Sequence, residues 1–257
     1  MRIAIIGSGN TASVIGRLLK AAGHLITGIY GKTVEHAQQL AVELNAQKHG
    51  YIGDIDQDAD LFIIAVKDDA ISKLATQLQL PGKVVVHTSG PVPAGVLKNT
   101  TEHYGVLYPL QSLRKETRYN PIVPFLIDGS TVFARKTLED LAKSISPIVN
   151  FADDEKRLKL HVAAVVVSNF TNYLYTLAED FCVHEHLNFH MFTPLIREVA
   201  QRATAYSPAG MQTGPAIRKD YQTINKHLEM LKGYPLQHDI YKTISDSITT
   251  FYEEKQE

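Results

Sequence analysis

Between residues 7 and 12 the chain reads GSGNTA, so Gly7, Gly9 and Ala12 satisfy the pattern G-x-G-x-x-G/A. That spacing suits a diphosphate. Gly7 permits a tight turn, Gly9 lets the backbone approach a pyrophosphate, and Ala12 lets the following helix pack closely, with its N-terminus facing the phosphates. Ser8, Asn10 and Thr11 add hydrogen-bonding groups. A dinucleotide site of this kind expects a carboxylate about 20 residues further on, where it accepts from the adenosine ribose. Here Tyr30 stands at that point, followed by Gly31, Lys32 and Thr33. An ammonium and a hydroxyl suit a 2′-phosphate, so the cofactor expected is NADP, with Lys32 as its selector. A solvated loop lysine is the alternative. The P-loop reading of GKT fails, because the required first glycine would fall on Ile26.

The elements that would hold this turn are legible around it. Arg2 to Ile6 reads as a strand, and Thr11 to Ala22 as a helix with Val14, Ile15, Leu18 and Leu19 on one face. Leu25 to Tyr30 is a second strand, Val34 to Leu44 a helix, and Leu61 to Val66 and Val84 to His87 buried strands. Tyr104 to Leu107, Val123 to Ile127 and Ile148 to Phe151 extend the sheet, with a helix from about Arg135 to Ser146. Parallel strands with crossover helices follow from this alternation. Asp153 then reads as an N-cap, with one long helix running to about Cys182 and further helices near Met191 to Tyr206, Lys219 to Leu231 and His238 to Glu253. The expectation is an α/β domain, residues 1–151, followed by an all-helical C-terminal domain, residues 152–257.

Composition narrows the classes of function. The chain has 257 residues, 44% of them hydrophobic, and a formal charge of −1 without charged blocks, which favours neither nucleic acid nor an anionic membrane. The longest apolar run, Val162 to Val167, is far too short to span a bilayer. The single cysteine, Cys182, excludes a disulfide within the chain and fits a reducing compartment, so a cytoplasmic protein acting on a small molecule is expected. His184, His186 and His190 are close together, but no carboxylate or cysteine pattern completes a site, and no metal is expected.

AVKDDAI (Ala65 to Ile71) resembles the loop after the corresponding strand of pyrroline-5-carboxylate reductases. With HTSG (His87 to Gly90), YPLQS (Tyr108 to Ser112) and GPAIRKD (Gly214 to Asp220), it is similar to an uncharacterised family of NADP oxidoreductase-like proteins. That family joins a Rossmann-type, mostly parallel sheet domain to a helical domain of unknown function, in the manner of the group related to 6-phosphogluconate dehydrogenase. The resemblance covers essentially the whole chain. It implies that Ala65, Val66, Lys67, His87 and Ser89 lie along NADP, with Gly90, Gln111 and Ser112 toward a substrate. The family's segment usually begins His-Pro, and this chain departs from it with Tyr108. A phenol of pKa near 10 donates a hydrogen bond but is a poor base at neutral pH, which disfavours prephenate chemistry.

Within the apolar helix, His161, Ser168, Asn172 and Glu179 share one face at 3.6 residues per turn, with Asn169 close by. In the resembled oxidoreductases the first helix of the second domain closes the substrate pocket, which makes this stripe a cleft wall. His161 is then the choice for proton handling, with Asn169, Tyr108 and Ser89 orienting the substrate. Mutual hydrogen bonding in a core, or a contact in a homodimer, would explain the same stripe. Arg218 could clamp a substrate carboxylate or brace its loop against Asp220. The function expected is hydride transfer between NADP(H) and a small carbonyl, imine or hydroxy compound in the cleft between the domains. The alternative is a non-catalytic NADP(H)-binding sensor, and turnover would distinguish them.

Overall fold

The computed structural model describes residues 1–50, 52–54, 56–117 and 121–254. These residues form two compact units, Met1–Asn169 and Phe170–Glu257. The first is built on an eight-stranded sheet: β1 (Arg2–Ile6), β2 (Leu25–Tyr30), β3 (Gln47–His49), β4 (Leu61–Ile64), β5 (Val84–His87), β6 (His103–Pro109), β7 (Phe125–Gly129) and β8 (Val149–Phe151). Their spatial order is β3-β2-β1-β4-β5-β6-β7-β8. All neighbouring pairs are parallel except β6 and β7.

The central strands read as continuous apolar runs because both faces are covered. Alternate residues divide between two cores. Ile3, Ile5, Leu61, Ile63, Val84 and Val86 face one, where α1 (Asn10–Ala21), α2 (Val34–Leu44) and a later helix supply Val14, Ile15, Leu19, Leu40, Leu44 and Leu138. Ala4, Ile6, Phe62, Ile64 and Val85 face the other, closed by Ile71 and Ala75 of α3 (Asp68–Ala75) and by Leu80 and Leu97. Leu138 belongs to α4 (Val132–Ile145), whose N-cap Thr131 accepts from the Ala134 N–H.

Three features depart from the sequence reading. The short β3 and the helix α3 join the expected elements; Gln47, Lys48 and His49 give β3 no apolar face, so only its pairing with β2 reveals it. Strand β7 runs antiparallel to β6, which removes the need for a crossover helix between them. The expected single helix from Asp153 is also not uniform. Asp153 caps it as expected, accepting from the Lys156 N–H at 2.8 Å, but α5 (Asp154–Ala164) passes into a π-helical segment, Val165–Phe170, before α6 (Thr171–His184). Wider i→i+5 turns rotate less per residue, so facing relations counted at 3.6 residues per turn do not carry across this segment.

The second unit continues with α7 (Thr193–Ala205), α8 (Tyr221–Met230) and α9 (Pro235–Glu253). Among the described residues of this unit only Leu177, Cys182, Ala216, Ile224 and Ser245 are buried, and α7 has no buried residue. Leu177, Phe181, Ile240, Ile244 and Ile248 line an apolar cavity of about 380 Å³.

Candidate functional site

The order of the strands reverses between β1 and β4, so their carboxyl ends make a crevice of the kind in which open α/β sheets bind ligands. Backbone hydrogen bonds draw the loops there together. Ala65 N–H donates to the Ile6 carbonyl and Gly7 N–H to the Tyr30 carbonyl, each at 2.7 Å. Gly7 has φ +134°, and a Cβ on it would lie 2.0 Å from the Ala65 carbonyl oxygen, so no other residue fits. Gly9 differs: it precedes α1 without a side-chain cap, and a Cβ there would meet nothing within 4 Å. The uncapped N–H groups of the first turn and the open space over Gly9 fit a diphosphate. Ala12 is wholly buried, as close helix packing requires, and Thr11 is half-buried.

Gly31 packs on Ser8, whose Oγ would be 2.7 Å from an added Cβ. This contact brings the end of β2 beside the glycine turn. Lys32 and Thr33 are exposed, and Thr33 precedes α2 without capping it through its hydroxyl, so both side chains fit a 2′-phosphate. Asn10 is less free than expected, because its Oδ1 accepts from the Lys115 N–H. Tyr30 and Val66 are half-buried against the second core, and Lys67 is exposed at the N-cap of α3.

After β5 the segment His87 to Ala94 is locked. Pro91 and Pro93 have no N–H, and the carbonyls around them find partners in side chains. Ser89 N–H donates to His87 Nδ1 at 3.2 Å, His87 Nε2 meets the Pro93 carbonyl at 3.4 Å, and Ser89 Oγ accepts from the Val92 N–H. The His87 ring is therefore buried with both nitrogens engaged, and it braces the loop. The buried Ser89 hydroxyl is likewise occupied within the turn. Burial, and next the Arg157 guanidinium, lower the His87 pKa to about 4.

Gly90 packs against Tyr108 and His161. Tyr108, at the end of β6, and His161, on α5, meet with the phenol oxygen 2.9 Å from Nδ1 and the rings edge to face. A Cβ on Gly90 would lie 2.7 Å from His161 Nδ1 and 3.1 Å from Tyr108 Cζ, so glycine is what admits this pair. Burial raises the Tyr108 pKa; Asp68 raises it further and Arg157 opposes the rise. The phenol stays protonated at neutral pH. Both rings line a cavity of about 460 Å³ with Leu110, Gln111, Ser112, Leu160, Ser168 and Asn169.

Ser168 and Asn169 lie in the π-helical segment and line the cavity of His161. Asn172, Glu179 and Arg218 belong to the second unit and are exposed. There Asp220 caps α8, its carboxylate accepting from the Thr223 N–H and hydroxyl. Those bonds, more than Arg218, lower its pKa. No group of three His, Cys, Asp or Glu side chains is placed to hold a metal ion among the described residues.

One residue escaped the sequence reading. Arg157 is 0% exposed, donating from Nε to the Gly90 carbonyl and from Nη2 to the Val92 carbonyl and Asp154. Its signal was its spacing on α5, three residues after Asp154 and four before His161.

A doubly wound sheet with a glycine turn at its crevice is the architecture of a nucleotide-binding domain. Residues 2–91 match the family described as NADP oxidoreductase, coenzyme F420-dependent, and residues 123–248 match a domain of unknown function, DUF2520. The chain belongs to the family that joins these two domains, shared with a solved Bacteroides fragilis protein described as a "putative NADP oxidoreductase". That relative is 35% identical, with a TM-score of 0.91 over 97% of this chain and 98% of the other. Pyrroline-5-carboxylate reductase from Streptococcus pyogenes shares the fold at 16% identity, with a TM-score of 0.63 over 97% of this chain and 98% of that one. A reductive aminase from Aspergillus terreus, solved with NADPH and ethyl levulinate, shares it at 15% identity, with a TM-score of 0.73 over 98% and 94%. Among curated proteins, human glucose-fructose oxidoreductase domain-containing protein 2 is 32% identical over 87 residues, 33% of this chain. The match spans 23% of that relative's length.

The neutral, buried His87 has a consequence for stability. In the unfolded chain it titrates near pH 6.5, and in the fold near 4. Between those values only the unfolded state takes up the proton, so stability is full above about pH 6.5 and declines as pH falls toward 4. The decline should total about 3 kcal/mol, at 1.36 kcal/mol per pH unit. Urea midpoints measured from pH 7 to 4.5 should show this slope, and His87→Gln, though less stable at pH 7, should flatten it. An unchanged slope in that variant would place the titration elsewhere.

Proposed function

We propose that this chain is an NADP(H)-dependent oxidoreductase acting on a small carbonyl, imine or hydroxy compound, with Tyr108 and His161 handling the proton. The observation that carries this reading is the hydrogen-bonded Tyr108–His161 pair in the wall of a cavity beside the Gly90 turn. No Asp, Glu, Lys or Arg lines that cavity among the described residues, which favours a mostly apolar compound bearing one polar C=O or C=N group. Gln111, Ser112, Ser168 and Asn169 are the groups that orient it. NADPH, when bound, supplies the hydride. Gly7, Gly9 and the first turn of α1 hold the diphosphate, and Lys32 and Thr33 hold the 2′-phosphate. The naming of an NADPH complex for the reductive aminase supports this choice of nucleotide.

In the reductive direction a proton must reach the substrate heteroatom. Tyr108, kept protonated by its burial, donates it, and a proton that His161 takes up from solvent passes from Nδ1, 2.9 Å behind the phenol, to the oxygen, leaving the ring as its Nε2–H tautomer. A tyrosine in the place where relatives carry histidine is thus supported by a histidine from α5. The buried, free Cys182 is in keeping with a reducing compartment.

A screen of imines, aldehydes and keto compounds with NADPH should find substrate-dependent oxidation. Silence throughout, with NADPH bound, would leave a binding protein without turnover. On a substrate so found, Tyr108→Phe and His161→Ala should each lower kcat about 100-fold or more. Because the two side chains act as one unit, the double variant should lose no more than the worse single one. Multiplying losses would separate their roles.

NADPH should bind at least about tenfold more tightly than NADH in a fluorescence titration, since one charge-assisted contact is on the order of 1.4 kcal/mol or more. Lys32→Glu should narrow or invert the preference, and equal affinities in the native chain would remove Lys32 from the site.

A second copy of the chain completes the helical unit in this reading. Leu195 and Val199 on α7 are 57% and 47% exposed, an apolar surface that needs covering. Light scattering at micromolar concentration should report twice the chain mass. A monomer would return that surface to solvent.

A further inference from the structure

A buried arginine is costly unless its charge and its donors are used; Arg157 is the largest wholly buried side chain of the described residues, and its Nε and Nη2 are engaged while Nη1 has no partner. Its partners follow a pattern. Nε donates to the Gly90 carbonyl at 3.0 Å and Nη2 to the Val92 carbonyl at 2.7 Å, while Nη2 also meets Asp154, whose Oδ1 accepts from the Ala94 N–H at 3.0 Å. Backbone groups at positions 90, 92 and 94 are thus gripped by one ion pair of α5. Pro91 and Pro93 between them cannot contribute an N–H, so this stretch has little backbone pairing of its own. The gripped loop carries Gly90, which touches both rings of the reactive pair, and His161 stands one helical turn beyond Arg157 on the same face of α5. One guanidinium therefore ties the loop that packs against the pair to the helix that carries half of it.

We propose that Arg157 is a positioning residue, whose hydrogen bonds to Gly90 and Val92 set the distance at which His161 meets Tyr108. The proposal rests on the reading of those two residues as the proton-handling pair. Lysine cannot replace the fork, because a single ammonium does not span two carbonyls in the geometry of a planar guanidinium. Charged and titratable groups around the pair are Asp68 from the start of α3, Asp154 and Arg157 from α5, and His87 from the end of β5.

The test uses the full chain labelled with ¹⁵N-histidine and needs no substrate. In the native protein at a pH where the ring is neutral, the bond from Tyr108 to Nδ1 should hold His161 in the Nε2–H tautomer, and Tyr108→Phe supplies the spectrum of the ring without its partner. Arg157→Gln should give a His161 signal close to that of Tyr108→Phe, and Arg157→Lys a signal between the two. NADPH affinity should stay within about threefold of native in both, because the glycine turn is untouched. A native His161 signal in Arg157→Gln, even with a lowered Tm, would overturn the proposal and leave Arg157 as a stabilising ion pair only. If Arg157→Gln does not fold, Arg157→Lys decides alone: a native tautomer there overturns the proposal as well. Full turnover in His161→Ala would remove the proton-handling reading while leaving the positioning result standing.

Discussion

Strands β1 and β4 lie side by side with their carboxyl ends level, and the turn leaving β1 must pass directly over the carbonyl of Ala65. That approach admits no Cβ at position 7, and it requires a positive φ as well. Much of the site follows from this constraint. The chain leaves Gly7 toward α1, so the first turn of that helix faces the crevice with its N–H groups uncapped. Tyr30, held by the Gly7 N–H, fixes the end of β2, and Gly31 then packs on Ser8. Lys32 and Thr33 follow directly, and the Thr33 carbonyl accepts from the Ala37 N–H at the start of α2.

The loop after β5 and the residues around it are organised by different physics. Where the glycine turn depends on backbone approach, this region depends on buried polar groups that satisfy a proline-interrupted loop. His87 stays neutral because charging it would place a second cation near Arg157 in a dry interior. Asp154 is held below its ordinary carboxylate range; burial alone would raise it, but the Ala94 N–H and the guanidinium outweigh that. These side chains act on the site through the backbone of residues 87–94. Tyr108 and His161 meet in the wall of the cavity.

Local signals were legible wherever a residue answers to its immediate neighbours. The glycine turn, the apolar runs of β1, β4 and β5, the periodic faces of α1 and α2 and the Asp153 cap all follow from steric rules or side-chain periodicity over a few residues. Strand β3 was hidden because its three polar residues carry no alternation. The π-helical segment was hidden because Val165 to Phe170 reads as ordinary helix, and only packing decides where a turn widens. Ser168 and Asn169 lie in that segment and line the cavity of His161.

The sequence by itself determined that this chain has a nucleotide-binding crevice and, through its matching motifs, which family it belongs to. It also named Tyr108 and His161 separately as candidates. Only the tertiary structure decided that they meet. They are 53 positions apart, and no periodicity relates a residue at the end of β6 to one on α5. It also placed His87 inside, where both ring nitrogens meet groups of its own loop. Such pairings depend on which surfaces pack together across the chain, and that is a property of the whole sheet and its helices rather than of any stretch of residues.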